Sequence, residues 1–155
     1  MNAGVRVCPS AEPVITSMNK SYVHHVLIAA DDLERSRQFY SGVLELEEIE
    51  RPAFARPGIW YKIGDGQQTI HIIVRTDATL RRNKPNDPDD IHFALRMKSY
   101  RDTLAWLRDK GFRDDVPDGD LRKMELRPNS LAGYPQIYVL DPDRNIIEFN
   151  FETLD

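Results

Sequence analysis

The chain has 155 residues, 41% of them apolar, and a formal net charge of −4. That length supplies one hydrophobic core rather than two independent ones, and no apolar stretch nears the roughly 20 residues that a bilayer-spanning helix needs. Mixed, slightly acidic charge argues against a nucleic-acid groove despite the Arg81, Arg82 and Lys84 cluster, and the single cysteine, Cys8, cannot form an internal disulfide, which fits a reducing cytoplasm.

Residues 1–20 carry Pro9 and Pro13, show no apolar periodicity and read as an irregular leader without a secretory pattern. A single domain then spans 21–155. Val23 to Ala30 is an apolar run of strand length, and Asp31-Asp32 can cap a helix carrying Leu33, Phe39, Tyr40 and Val43 near helical spacing, with Gly42 near its end. Glu45 to Glu50, Ile59 to Ile63 and Thr69 to Arg75 read as three further strands, the last two separated by the turn signal Gly64-Asp65-Gly66. This is a βαβββ module over about residues 21–76.

Thr76 to Asp90, with Pro85 and Pro88 among Asn, Asp and Arg, is too polar for the core and reads as a linker, chiefly 77–90. A second module, about 91–152, repeats the order: strand Ile91 to Met97, a helix from Ser99-Tyr100 through Leu104, Trp106 and Leu107 to Gly111, then strands at Phe112 to Asp115, Arg122 to Arg127, Gln136 to Leu140 and Ile146 to Phe151. His25 to Phe39 and His92 to Trp106 are the same interval of 14 residues, so strand and helix share a register in both halves. The fold class is α+β, built from two βαβββ modules.

Four metal-capable side chains occupy matching places in this repeat: His25 and His71 in the first half, His92 and Glu148 in the second. Neutral imidazole and carboxylate suit a divalent transition metal, and a repeat can gather them at a pseudo-twofold axis. Alternation along a strand puts His25 on one face with Leu27 and Ala29, turns His24 to the other, and groups His92 with Ala94 and Arg96. Glu148, between Ile147 and Phe149, is costly to bury charged and alone, and calls for a cation or for an ion pair with a base such as Arg96.

The run His25-Val26-Leu27-Ile28-Ala29-Ala30-Asp31-Asp32-Leu33-Glu34-Arg35-Ser36-Arg37-Gln38-Phe39-Tyr40 closely resembles the opening signature of the vicinal-oxygen-chelate superfamily. This superfamily includes glyoxalase I, methylmalonyl-CoA epimerase, extradiol dioxygenases and the fosfomycin- and bleomycin-resistance proteins. Tyr138-Val139-Leu140-Asp141-Pro142-Asp143-Arg144-Asn145-Ile146-Ile147-Glu148 resembles its closing signature, and Ile91-His92-Phe93-Ala94-Leu95 extends the likeness across about residues 22–151. The resemblance implies a U-shaped, mostly antiparallel sheet around a divalent metal that chelates neighbouring substrate oxygens. It places His25, His92 and Glu148 at ligand positions, and His71 at a fourth position that holds Glu, Gln, His or no ligand across the family. It also implies a homodimer, because in several members one site draws on both chains.

Ligand type alone admits Fe2+, Mn2+, Zn2+, Ni2+ or Co2+. The expected chemistry is Lewis-acid lyase, isomerase or dioxygenase action on a small organic substrate, with Tyr138 as a candidate catalytic contact and Arg96 and Tyr61 as candidate substrate contacts. Neither of two subfamilies fits fully: no histidine stands among Asn129, Ser130 and Leu131, where the dioxygenase signature has one, and His71 stands where glyoxalase I often has a glutamate. The alternative is a non-catalytic small-molecule or drug binder of the bleomycin-resistance type.

Overall fold

The computed structural model describes residues 21–75 and 83–155. The expected leader, Cys8 and the Arg81-Arg82 pair lie outside them.

β1 (His25–Ala30) ends at Asp31-Asp32, and the Asp32 side chain caps α1 (Leu33–Arg37) by accepting from the Arg35 backbone N–H at 2.9 Å. Glu34 in the first turn and Arg35 and Arg37 in the last complement the helix dipole. The helix then widens into a π-helical segment, Gln38–Val43, where the Leu44 N–H reaches back to the Phe39 carbonyl at 2.9 Å. The wider turn lets the adjacent Phe39 and Tyr40 both enter the core. β2 (Glu48–Ile49), β3 (Gly58–Lys62) and β4 (Thr69–Val74) complete the first module.

The second module runs β5 (His92–Arg96), α2 (Tyr100–Asp109), β6 (Glu125–Arg127), β7 (Gln136–Leu140) and β8 (Ile146–Asn150). Its strand order, β5-β8-β7-β6, reproduces the β1-β4-β3-β2 order of the first. In each sheet one outer pair is parallel, β1 with β4 and β5 with β8, and the other pairings are antiparallel. These are two hydrogen-bonded sheets rather than one continuous ladder, which refines the single U-shaped sheet expected from the sequence.

Three strands differ from the sequence reading by more than two residues at an end. Glu45 takes a left-handed φ of 56°, so the strand expected from there is limited to Glu48–Ile49. The Phe112 to Asp115 strand shrinks to a single bridge between Arg113 and Lys123, and the next strand begins only at Glu125.

One core cluster joins the modules, including Phe39 and Tyr40 from the first and Phe112, Ile137 and Phe149 from the second. A polar seam fixes their mutual position. Tyr40 donates to Asp141 Oδ2 at 2.9 Å, Asn145 Nδ2 donates to the Ala29 carbonyl at 3.1 Å, and Asp143 Oδ1 accepts from the Asp31 N–H at 3.0 Å and from Arg35 Nη2 at 3.2 Å. The β7–β8 turn that supplies these groups is an Asx turn: Asp141 Oδ1 accepts from the N–H groups of Asp143 and Asn145. Desolvation is the largest influence on the Asp141 carboxyl and pushes it up to about 6, against the hydrogen bonds it receives.

Candidate functional site

Register fixes which side chains share the inner face of each sheet. In module one, Trp60 lies opposite His71 and His71 opposite Leu27; in module two, Tyr138 lies opposite Glu148 and Glu148 opposite Ala94. His71 and Glu148 are therefore equivalent positions, as are Trp60 and Tyr138, and His25 and His92.

The two halves use these positions differently. In module one the His71 ring is stacked between Trp60, at 4.0 Å between centroids and 5° between planes, and His25, at 4.3 Å and 13°. His71 Nε2 lies 2.9 Å from Thr69 Oγ1, while His25 Nδ1 lies 3.0 Å from His24 Nδ1. Burial is the largest influence on His71, and with His25, His24 and Arg51 nearby it lowers the imidazole pKa, so the ring is neutral at pH 7.

In module two the Glu148 carboxylate is 3% exposed, yet each oxygen has two polar neighbours. Oε1 accepts from Gln136 Nε2 at 3.1 Å and Asn150 Nδ2 at 3.0 Å, and Oε2 accepts from the Tyr138 hydroxyl at 2.9 Å and lies 3.1 Å from His92 Nε2. Three neutral donors thus satisfy much of the carboxylate, and among the described residues the basic group beside it is His92 rather than Arg96. Burial pushes the Glu148 carboxyl up, but the hydrogen bonds from Asn150, Tyr138 and Gln136, with His92, outweigh it and leave the carboxyl below its usual range. Tyr138 moves the other way. Burial and the bond to Glu148 hold its hydroxyl far above the ordinary phenol range, which makes it a hydrogen-bond donor and not a base.

His92 is oriented for this contact. Its Nδ1 lies 2.8 Å from the Asp90 carbonyl and so carries a hydrogen, which turns Nε2 toward the carboxylate. A lone pair on Nε2 facing Glu148 Oε2 would be repulsive, so the pair needs a proton or a metal ion between them. Two ligands about 2.1 Å from one ion and at right angles stand about 3.0 Å apart, close to the observed 3.1 Å. Imidazole and carboxylate are donor types that suit a divalent metal, and this pair supplies two of the ligands one would need.

Among the described residues no group of three or more His, Cys, Asp and Glu side chains is placed to hold one ion. His25 with His71, and His92 with Glu148, form two pairs rather than the single cluster expected. One cavity is lined both by Val26 to Ala29 of β1 and by Ile91, His92 and Phe93 at the start of β5. Arg96 is exposed and lies over the Tyr134 ring at 5.3 Å. Tyr61 was misassigned: it is fully buried on the opposite face of β3, stacked on Tyr40 at 5.5 Å, and its neighbour Trp60 takes the inner face. The sequence reading also missed Gln136 and Asn150, whose even spacing with Tyr138 and Glu148 along β7 and β8 is the signal that could have found them.

The Glyoxalase/Bleomycin resistance protein/Dioxygenase superfamily matches residues 22–149, and the chain belongs to it. Among solved structures it resembles a protein assigned to the glyoxalase family from Bacillus anthracis, at 26% identity and a TM-score of 0.65, over 84% of this chain and 94% of that one. It shares its fold with a lactoylglutathione lyase from Agrobacterium tumefaciens, at 18% identity and TM-score 0.58, over 85% and 94% of the two chains. The same holds for TnmS3, an antibiotic binding protein from Streptomyces sp. CB03234, at 15% identity and TM-score 0.62, over 87% and 98%. The fold therefore serves both catalysis and binding. Among the described residues no helix is long and apolar enough to cross a membrane.

Proposed function

We propose that this protein is a divalent-metal-dependent enzyme of the glyoxalase and dioxygenase type, acting on a small organic substrate with two neighbouring oxygens. The observation that carries this reading is the 3.1 Å approach of His92 Nε2 to Glu148 Oε2 with His92 Nδ1 anchored on a carbonyl. His92 and Glu148 would hold the ion together with His25, and His71 is the fourth candidate. Fe2+, Mn2+, Zn2+, Ni2+ and Co2+ all suit this set. When bound, the metal supplies Lewis-acid stabilisation of negative charge on chelated oxygens.

The chain's own residues prepare that site. Gln136, Asn150 and Tyr138 fix the Glu148 carboxylate, Asp90 fixes the His92 tautomer, and Tyr138 has a hydroxyl that remains protonated and able to donate. Arg96, with no carboxylate partner among the described residues, is free to meet an anionic group at the far end of the same face.

The two pairs become one site if a second copy brings its His25–His71 face against this copy's His92–Glu148 face. A homodimer with shared sites is thus part of the proposal, and exposed Leu27 and Ile91 beside the β1 and β5 edges are apolar surface such an interface would cover. We place the protein in the cytoplasm.

Metal analysis of the purified protein tests the proposal: about one equivalent of a divalent ion per chain is expected, lost on His92→Ala. Less than that in the wild type, or unchanged occupancy in the variant, would contradict it. A second reading, a non-catalytic small-molecule binder, draws on the His25–His71–Trp60 stack and on the hydrogen bonds that already satisfy Glu148. It expects a fold that holds its ligand with no metal at all.

A further inference from the structure

The β2–β3 loop brings a cation onto the inner face of module one. Arg51 donates from Nη2 to the Arg56 carbonyl at 2.7 Å, and its guanidinium lies 4.8 Å over the Phe54 ring. Phe54 in turn sits 6.1 Å from Trp60, tilted by 45°, and Trp60 stacks on His71. Gly58 makes this possible: a Cβ there would collide with the Ile72 carbonyl and stand 3.2 Å from Arg51 Nε. Gly58 and Trp60 share a face by strand alternation, so the guanidinium crosses the bare glycine beside the indole.

Two features of this arrangement are unfinished. Arg51 Nε is buried with no acceptor, and Arg51 has no carboxylate partner among the described residues. A buried donor left unmade costs free energy, which an acceptor admitted by a turn of the exposed Phe54 side chain would recover. Phe54 is 56% exposed, and it covers the indole face away from His71 only at an angle.

We propose that Arg51, Phe54 and Trp60 form a subsite for a flat, anionic aromatic ligand, an arene carboxylate, whose ring takes the place of Phe54 on the outer indole face as the exposed Phe54 side chain turns aside, and whose carboxylate meets the Arg51 guanidinium. Stacking on the indole selects the ring, and the guanidinium charge, with the Nε–H once Phe54 has turned, selects the anion. The subsite rests on the reading that this inner face receives the substrate, but it does not need the metal.

Two tryptophans are present, so Trp106→Phe leaves Trp60 as the only indole reporter. Metal-stripped protein carrying this change is titrated with benzoate, benzyl alcohol and cyclohexanecarboxylate, following indole emission. Benzoate is expected to give a saturable change and to bind about tenfold more tightly than either control. Arg51→Met should bring benzoate down to the level of benzyl alcohol while leaving benzyl alcohol unchanged. Ligand-observed NMR on the wild-type chain repeats the comparison without the Trp106 substitution. Equal affinity for all three probes, no saturable binding of benzoate, or full benzoate affinity in Arg51→Met would overturn the subsite. Metal content, measured on the same wild-type preparation before stripping, reports separately on the His92–Glu148 proposal, so either can fail alone.

Discussion

At equivalent positions, module one sets Trp60 beside His71 and module two sets Tyr138 beside Glu148. The first half is held by three parallel rings, the second by a buried carboxylate caged in donors. The sheet repeat therefore fixes where side chains meet but leaves open how they hold one another. Stacked rings lose contact area one member at a time. A donor cage fails as a unit, because removing its acceptor strands every donor.

The largest expected effect follows from that contrast. Glu148→Ala leaves Gln136, Tyr138 and Asn150 without their acceptor and should destabilise the fold by about 3–5 kcal/mol in urea unfolding. The equivalent change in module one, His71→Ala, removes ring stacking and some packing and should cost about 1–2 kcal/mol. Similar losses in the two variants would break the comparison.

The seam between the modules supplies a pH test. Burial raises the Asp141 carboxyl from 3.8 to about 6, so the folded state binds its proton more tightly than the unfolded chain does. Its contribution therefore favours folding more as pH falls from about 6 toward about 4, and less as pH rises through that window. Glu148, with a lowered pKa, contributes the opposite way: stability that is present above its unfolded value and lost as pH falls. Asp141→Asn should remove the first contribution, giving a thermal midpoint that falls more steeply on acidification than in the wild type. A shallower fall would mean that the seam carboxylate is not strained by burial.

The smallest effect concerns Arg144, which holds a φ of 66° in the β7–β8 turn while donating to the carbonyls of Lys84 and Gly119. Arg144→Gly relieves about 1 kcal/mol of backbone strain but gives up two exposed hydrogen bonds. A net change within about 1 kcal/mol is expected in the same urea series, and a larger loss would mark those two bonds as a tie between loops.

Much of this arrangement was legible in the chain. Alternation assigned His25, Leu27 and Ala29 to one face and His92, Ala94 and Arg96 to another, because period two leaves no other choice once a strand is recognised. Tyr61 shows the limit: Ile59, Trp60, Tyr61 and Ile63 are apolar at both parities, so the sequence does not say which side is the core. The π-helical segment was hidden for a similar reason, since adjacent Phe39 and Tyr40 break a 3.6-residue stripe without naming the wider turn. Arg51 and Phe54 meet Trp60 only through a loop whose path is set by the rest of the fold, and no local pattern announces it. The separation of the ligand pairs was equally invisible, because a repeat predicts equivalence and not which copies of the repeat face each other.

Subunit complementation tests the shared site most directly. His25→Ala and His92→Ala are purified separately, each expected to bind almost no metal, then mixed in equal amounts, unfolded and refolded together. If sites are built from the His25 side of one chain and the His92 side of another, random pairing restores about a quarter of the wild-type metal sites. No recovery in the mixture, with wild-type protein carried through the same refolding regaining its metal, would contradict a site completed by a second copy.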